Sequence, residues 1–276
     1  MSDAPDDVEA LEVRLLLEAI NAQYGYDLRD YAASSMRRRV LAALARSGLE
    51  HLGELQHKVL TDPAFFAVVM ETLTVRVSEL FRDPTFCLTF RNRLVPILRT
   101  YPLFKIWHAG CANGEEVYTT AIILQEEGLY DRAQIYATDI SHEALDHARQ
   151  GIYPSAHLDR YTDNYGRAGG KASLATYYTE AYDRVAMREA LRRNVVFFQH
   201  NLVSDHVFGE MNVIVCRNVL IYFGPELKDR VIAKFEHSLC PRGFLCLGTS
   251  EHLASYPTHQ AFAEFAGPDR IYRRET

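Results

Sequence analysis

The chain has 276 residues, 48% hydrophobic and 24% charged, with 30 Lys plus Arg against 36 Asp plus Glu for a net charge of −6. That composition excludes a disordered or fibrous chain, and the negative balance argues against a general nucleic-acid binder, which needs cations to displace phosphate counterions. No apolar run approaches the roughly 18–20 residues that span a bilayer, and the acidic start MSDAPDDVEA lacks the basic-then-apolar order of a secretory signal, so a cytoplasmic protein without direct membrane insertion is expected.

The chain begins with a helical pattern. Val8, Leu11, Leu15, Ala19 and Ile20 recur at three- and four-residue steps and predict one buried stripe. Met36, Val40, Leu41 and Leu44 predict a second stripe after Ser34-Ser35, which suits a helix start. Asp62-Pro63 is a cap followed by proline at the first helical position, with Phe66, Val69, Met70 and Leu73 facing one way behind it. An all-helical domain is expected over residues 1–75, with residues 76–83 as a linker contributing to the active site.

From residue 84 to 276 the pattern becomes α/β. Short apolar runs at 104–108 (FKIWH), 134–138 (QIYAT), 195–199 (VVFFQ), 213–216 (VIVC) and 244–247 (FLCL) predict strands. Helices are expected at Glu115–Glu127, behind Ser141, and from Pro225 to Leu239, and Ile271-Tyr272 suggests an added edge strand. Such alternation predicts a mostly parallel sheet covered on both faces. Residues 155–194, with Gly166, Gly169, Gly170 and the Tyr177-Tyr178 pair, break the rhythm and read as an insertion. Cys87, Cys111, Cys216, Cys240 and Cys246 are odd in number and make no C-x-x-C pair, so reduced thiols are expected. The histidines show neither H-x-x-x-H nor H-E-x-x-H spacing, and no metal centre is expected.

In a parallel sheet, ligands sit beyond the carboxyl ends of strands. The first strand ends in His108-Ala-Gly-Cys-Ala-Asn-Gly-Glu-Glu116, where small residues, Gly110 among them, permit a tight turn and close approach to a ligand. This is not the G-x-G-x-x-G dinucleotide pattern. Glu115 and Glu116 follow the last glycine where a phosphate would otherwise sit, so a cationic or amine-bearing ligand suits the loop better. Asp139, at the end of the second strand, stands where an acid accepts ribose hydroxyls. A cationic nucleoside without phosphates describes S-adenosylmethionine (AdoMet). On the residues alone, Glu115 and Glu116 also suit the positive end of a helix dipole, and Asp139 a helix cap.

Taken together, HAGCANGEEVYTTA, ATDIS, CRNVLIYF and the upstream ELFRDP resemble the signature blocks of the chemotaxis-receptor glutamate O-methyltransferase (CheR) family. The resemblance runs from the helical N-terminal region to about Leu253. It implies an N-terminal all-helical domain followed by a Rossmann-like AdoMet-dependent methyltransferase domain, with a small β-subdomain at 155–194. It implies methyl transfer from AdoMet to glutamates on a chemoreceptor's cytoplasmic helical bundle, with S-adenosylhomocysteine as product. Asp139 matches the family's ribose-binding acid, Asn201-Leu202 the pair flanking adenine, and Arg217-Asn218 a further cofactor-lining pair. One of Glu115 and Glu116 matches the contact to the methionine amino group, with Gly110 in the same loop. Arg82 and Tyr222 match residues beside the transferred methyl and are the expected catalytic pair. Ser78 replaces a usual threonine, and Arg76 stands where the family often has a cofactor-contacting asparagine.

Arg37, Arg38, Arg39 and Arg46 lie in a stretch without acids and are expected to form a docking face for an acidic helical partner, a solvated face being the alternative. A non-catalytic AdoMet-binding adaptor and a methyltransferase for another carboxylate or protein are the alternative functions.

Overall fold

The structure is a computed structural model that describes residues 4–74, 78–253 and 260–275, with side chains described from residue 8 onward. Four helices come first: α1 (Ala4–Tyr24), α2 (Ala33–Ser47), α3 (Leu52–Thr61) and α4 (Pro63–Leu73). Their ends follow local chemistry. Gly48 closes α2 in the left-handed region at φ 71°, and the Asp62 carboxylate accepts the Ala64 and Phe65 amides at 3.0 Å to start α4. Leu16, Ile20, Leu28, Met36, Val40, Leu55, Val59, Val69 and Leu73 form the buried interior of this bundle.

The expected stripe on α1 is corrected. Val8, Leu11 and Leu15 are 57, 43 and 46% exposed, while Val13, Leu16, Leu17 and Ile20 are buried. Apolar residues occur on two sides of this helix at the same spacing, and packing against α3 selects which side is covered. On α2, Met36, Val40 and Ala43 are buried, whereas Leu41 and Leu44 are only partly covered.

After residues 78–83, which form no helix or strand, α5 (Pro84–Thr89), a π-helical turn at Phe90–Leu94 and α6 (Val95–Leu98) lead into the sheet. The strands of the main sheet are β1 (Phe104–Ala109), β2 (Ala133–Asp139), β6 (Val195–Gln199), β7 (Met211–Cys216), β8 (Leu239–Leu247), β9 (Phe262–Ala266) and β10 (Ile271–Arg274). Among the described residues they run in the order β6-β2-β1-β7-β8-β10-β9. The first five are parallel, and β10 and β9 are antiparallel additions.

Two strand expectations change. β10 is not the edge: it lies between β8 and β9, and β9 carried too weak an apolar run to be read from sequence. β8 begins at Leu239, directly where helix α10 (Pro225–Ser238) stops, rather than at Phe244.

Helix α7 (Glu115–Glu126) follows β1, and α8 (His142–Gln150) follows β2. Phe104, Ile106, Val213, Val215 and Phe244 pack with α7 on one face of the sheet. Trp107, Ile214, Cys216, Leu245 and Leu247 pack with α10 on the other, as the two-residue period of a strand requires. Between α8 and β6 the chain forms α9 (Leu158–Arg167) and a second, three-stranded antiparallel sheet. Its strands are β3 (Ile152–Pro154), β4 (Tyr178–Ala181) and β5 (Arg184–Met187), in the order β3-β5-β4. No helix among the described residues is long and apolar enough to cross a membrane.

The helical bundle is joined to the sheet domain by a short backbone seam. Ala32 N donates to Tyr222 O and Gly224 N to Asp30 O, each at 2.9 Å, and an Arg230–Asp30 ion pair lies beside them. This seam brings Tyr31 and Arg39 to the carboxyl end of the parallel strands.

Candidate active site

The loop after β1 turns back at two left-handed glycines. Gly110 has φ +79°, and a Cβ there would lie 2.6 Å from Val219 Cγ2; Gly114 has φ +91°, with Ala148 Cβ 2.8 Å from the same hypothetical atom. Only a residue lacking Cβ meets both the dihedral and the space requirement. The amides of Gly110 and Cys111 donate to Thr138 O at 2.8 and 2.9 Å, which ties this loop to the end of β2. There the Asp139 carboxylate accepts Ala112 N and Ser141 N, both at 2.9 Å. Asp139 therefore braces the loop and the start of α8 while also lining the cleft.

The cleft has a volume of about 1100 Å³, counting its open mouth. Gly110, Ala112 and Glu116 line it from the β1 loop, Asp139 and Ile140 from the β2 end, and His200, Asn201 and Leu202 from the β6 end. Arg217, Asn218 and Tyr222 come from the segment after β7, and Ser78, Glu79 and Arg82 from the stretch before α5. Tyr31, Arg39 and Thr74 complete it from the helical bundle.

The paired acids after Gly114 have different environments. Glu116 faces the cleft and shares the buried Arg217 guanidinium with Asp83. Burial opposes the charge on Arg217, but Glu116 and Asp83 outweigh it and keep the guanidinium protonated. Glu115 turns away and is buried, its Oε2 without a hydrogen-bond partner. Burial pushes its carboxyl up to about 7, against hydrogen bonds from its own backbone region and from Ser78 that favour the charged form.

That elevation sets a sign for stability. With a folded pKa near 7 and an unfolded value of 4.5, the unfolded chain releases the Glu115 proton first as pH rises. The stabilisation is full below about 4.5 and is lost as pH climbs through 7. Urea unfolding of Glu115→Gln should lack a decline of about 3 kcal/mol between these limits that the unsubstituted protein shows. Parallel pH profiles for the two proteins would refute this assignment.

The residues before α5 are held from the insertion. Asn164 Nδ2 donates to Glu79 Oε1, and Arg160 pairs with Glu79 Oε2 at 3.3 Å. Phe81 and Asp83 adopt φ of 54° and 52°, and Phe81 N donates to Thr119 Oγ1 at 2.9 Å, so Arg82 stands on a strained, anchored turn. After β7, Asn218 also has a left-handed φ of 62°. The buried Glu251 carboxylate accepts Asn218 N, Ile221 N and Gly248 N, fixing the segment that carries Tyr222.

Two family models match the helical and sheet parts of the chain in turn. The family described as CheR methyltransferase, SAM binding domain, matches residues 76–266, and its all-alpha domain matches residues 11–74. The chain belongs to the CheR methyltransferase family. It is 47% identical over 264 residues to Cher3 of Pseudomonas putida, covering 96% of this chain and 97% of that protein. It is 30% identical over 252 residues to the chemotaxis protein methyltransferase 1 of Vibrio cholerae, covering 88 and 89% of the two chains. Among solved structures, StiE O-MT residues 942–1257 align with a TM-score of 0.37 at 15% identity, over 69% of this chain and 49% of that one.

In this CheR-family chain, Ser78, Arg82, Gly110, Glu116, Asp139, Asn201, Leu202, Arg217, Asn218 and Tyr222 border one cleft, while Glu115 lies behind it. Arg76 lies outside the described residues. Of the four arginines expected to form a docking face, Arg39 does not lie on the surface: it is 6% exposed, donates to Leu73 O and lies 4.1 Å above the Tyr222 ring. Its place in the cleft follows from the direction α2 presents to the sheet domain, which the linear cluster of arginines cannot reveal. Arg37 pairs with Glu9, Arg46 Nη1 donates to Thr72 Oγ1 at 3.2 Å, and Arg38 is exposed. Tyr31, Glu79, His200 and Glu251 are further residues of the cleft or its frame: Glu79 and His200 adjoin the recognised Ser78 and Asn201 and were open to reading from sequence, whereas Tyr31 and Glu251 come from segments with no such signal.

Proposed function

We propose that this chain transfers the methyl group of AdoMet to glutamate side chains on the cytoplasmic helical bundle of a chemoreceptor, releasing S-adenosylhomocysteine. The observation that carries this reading is one cleft lined by the acids Asp139 and Glu116 and by the cations Arg82 and Arg39. A phosphate-bearing coenzyme fits poorly where Glu116 and Asp139 face the cavity, whereas a sulfonium nucleoside gains from both. AdoMet, when bound, supplies an electrophilic methyl group on a good thioether leaving group.

The protein's own task is then alignment and exclusion of water. Asp139, held by two backbone amides, receives the ribose hydroxyls, and Glu116 receives the amino group. Asn201 and Leu202 border the adenine, and Asn218 completes the wall. Arg82 orients the incoming carboxylate, and Tyr222, its ring held under Arg39, fixes the opposite side. No general base is needed, since a glutamate with a reference pKa of about 4.3 is already ionised at neutral pH. Residues 1–75 would present the acceptor through the exposed Arg37, Arg38 and Arg46 face, the 76–83 linker would carry Arg82, and 84–276 would hold the cofactor, with the inserted subdomain expected at 155–194 starting earlier, at β3 (Ile152–Pro154).

The test is incubation with methyl-labelled AdoMet and a receptor cytoplasmic fragment. Label that is released by mild base is expected, as from a glutamate methyl ester. Base-stable label would assign another acceptor atom, and S-adenosylhomocysteine binding without any label on protein would leave a non-catalytic adaptor.

A further inference from the structure

The loop that follows β6 supplies His200, Asn201 and Leu202 to the cleft and lies directly beside Asp139, because His200 N donates to Asp139 O at 3.1 Å. Its shape is set from inside. Asn201 N donates to Asp205 Oδ2 at 2.8 Å, and Val203 N donates to Asn201 Oδ1 at 2.9 Å. In the same loop the carbonyls of residues 202, 203 and 205 converge on a common point. Lys234, on α10, occupies that point: its Nζ donates to Leu202 O at 2.8 Å, Val203 O at 3.0 Å and Asp205 O at 2.8 Å.

An ammonium has three donors and no acceptor, so three carbonyls saturate it. Converging carbonyl dipoles repel one another unless a positive charge sits between them, and hydrogen bonds from a charged donor are about twice as strong as neutral ones. A planar guanidinium distributes its donors in a fork and cannot place three of them on one converging trio in the same way. Lys234 does not itself border the cleft. Its effect on a ligand is exerted through the loop.

We infer that Lys234 is the positioning residue for the nucleoside end of the cofactor, holding the 201–205 loop in its ligand-ready shape through three backbone carbonyls. This rests on the AdoMet reading of the same cleft. Because α10 is otherwise packed through Leu227, Val231, Ile232 and Phe235, replacing the ammonium leaves the helix's apolar anchor intact.

The experiment measures S-adenosylhomocysteine binding by calorimetry and steady-state methyl transfer on the full chain carrying Lys234→Met, Lys234→Gln or Lys234→Arg. Lys234→Met is expected to raise the Kd for S-adenosylhomocysteine and the KM for AdoMet about tenfold or more. The kcat at saturating AdoMet and the KM for the acceptor should stay within about twofold, since the carbonyl clamp acts on ground-state and transition-state binding alike. Lys234→Gln, which keeps an NH₂ group, and Lys234→Arg, which keeps the charge, are each expected to recover part of the affinity. Should Lys234→Met fail to fold by circular dichroism, the Gln variant carries the comparison. An unchanged Kd, or a fall in kcat with KM unmoved, overturns the proposal. Absence of S-adenosylhomocysteine binding by the unsubstituted protein overturns the cofactor reading and this inference with it, a result distinct from failure of the Lys234 variants alone.

Discussion

Arg217→Met should lower folding stability by about 3 kcal/mol and abolish measurable AdoMet binding. The Arg217 side chain is 2% exposed and bonds two carboxylates at once, Asp83 from the turn before α5 and Glu116 from the first turn of α7. Its guanidinium carbon also lies 4.0 Å from the centre of the Phe86 ring. Methionine fills comparable volume and preserves the contact with Phe86, so the loss isolates the charge. Two neighbouring carboxylates would then face each other without a cation, one of them in the cleft. Because Asp83 and Glu116 are 33 and 21% exposed, water screens part of this repulsion, which places the cost near the lower end of that for a broken buried pair. Arg217→Lys should recover little, as a single ammonium cannot span two carboxylates on different elements in the manner of a fork. Urea unfolding and calorimetry with S-adenosylhomocysteine measure both effects. A stability change below about 1 kcal/mol with binding intact would show that the two acids have other compensation.

Arg82→Ala and Tyr222→Phe should each reduce turnover by about a hundredfold or more while changing AdoMet affinity little. Tyr222→Phe is the cleaner of the two. Phenylalanine keeps the ring beneath Arg39, and the backbone bond from Ala32 N to Tyr222 O is untouched, so the seam between bundle and sheet persists. Only the hydroxyl is lost. Arg82→Ala removes a cation from the cleft where an acceptor carboxylate would arrive, and misplacing that nucleophile by a fraction of an ångström is costly in an in-line displacement. Measuring kcat, KM and Kd separately decides the roles. If affinity for AdoMet falls as far as turnover does, both side chains are cofactor contacts and the acceptor is oriented by something else.

Parts of this molecule are legible because their cause is local. Asp62-Pro63 caps α4 with its own side chain, and VVFFQ is β6 with the same bounds in sequence and structure. The glycine-rich turn after β1 takes left-handed residues at 110 and 114, a dihedral that glycine supplies locally. Other parts depend on which surface meets which. The α1 helix has apolar residues on two sides, and β10 is too short a run to declare whether a further strand lies outside it. Glu115 and Glu116 are adjacent and chemically identical, yet helical rotation sends one toward the cleft and the other into the protein.

By itself, the sequence determined the order of helical bundle and parallel sheet, the turn that makes room for a ligand, and the acid at Asp139, because dihedral limits, caps and strand periodicity act within a few residues. Only the tertiary structure decided that Arg39 leaves the surface for the cleft, that Tyr31 joins it, that Arg217 binds Asp83 and Glu116 together, and that Lys234 clamps the loop beside Asp139. Each of those contacts joins groups far apart in the chain, and their partners are chosen by burial and charge once the elements have packed.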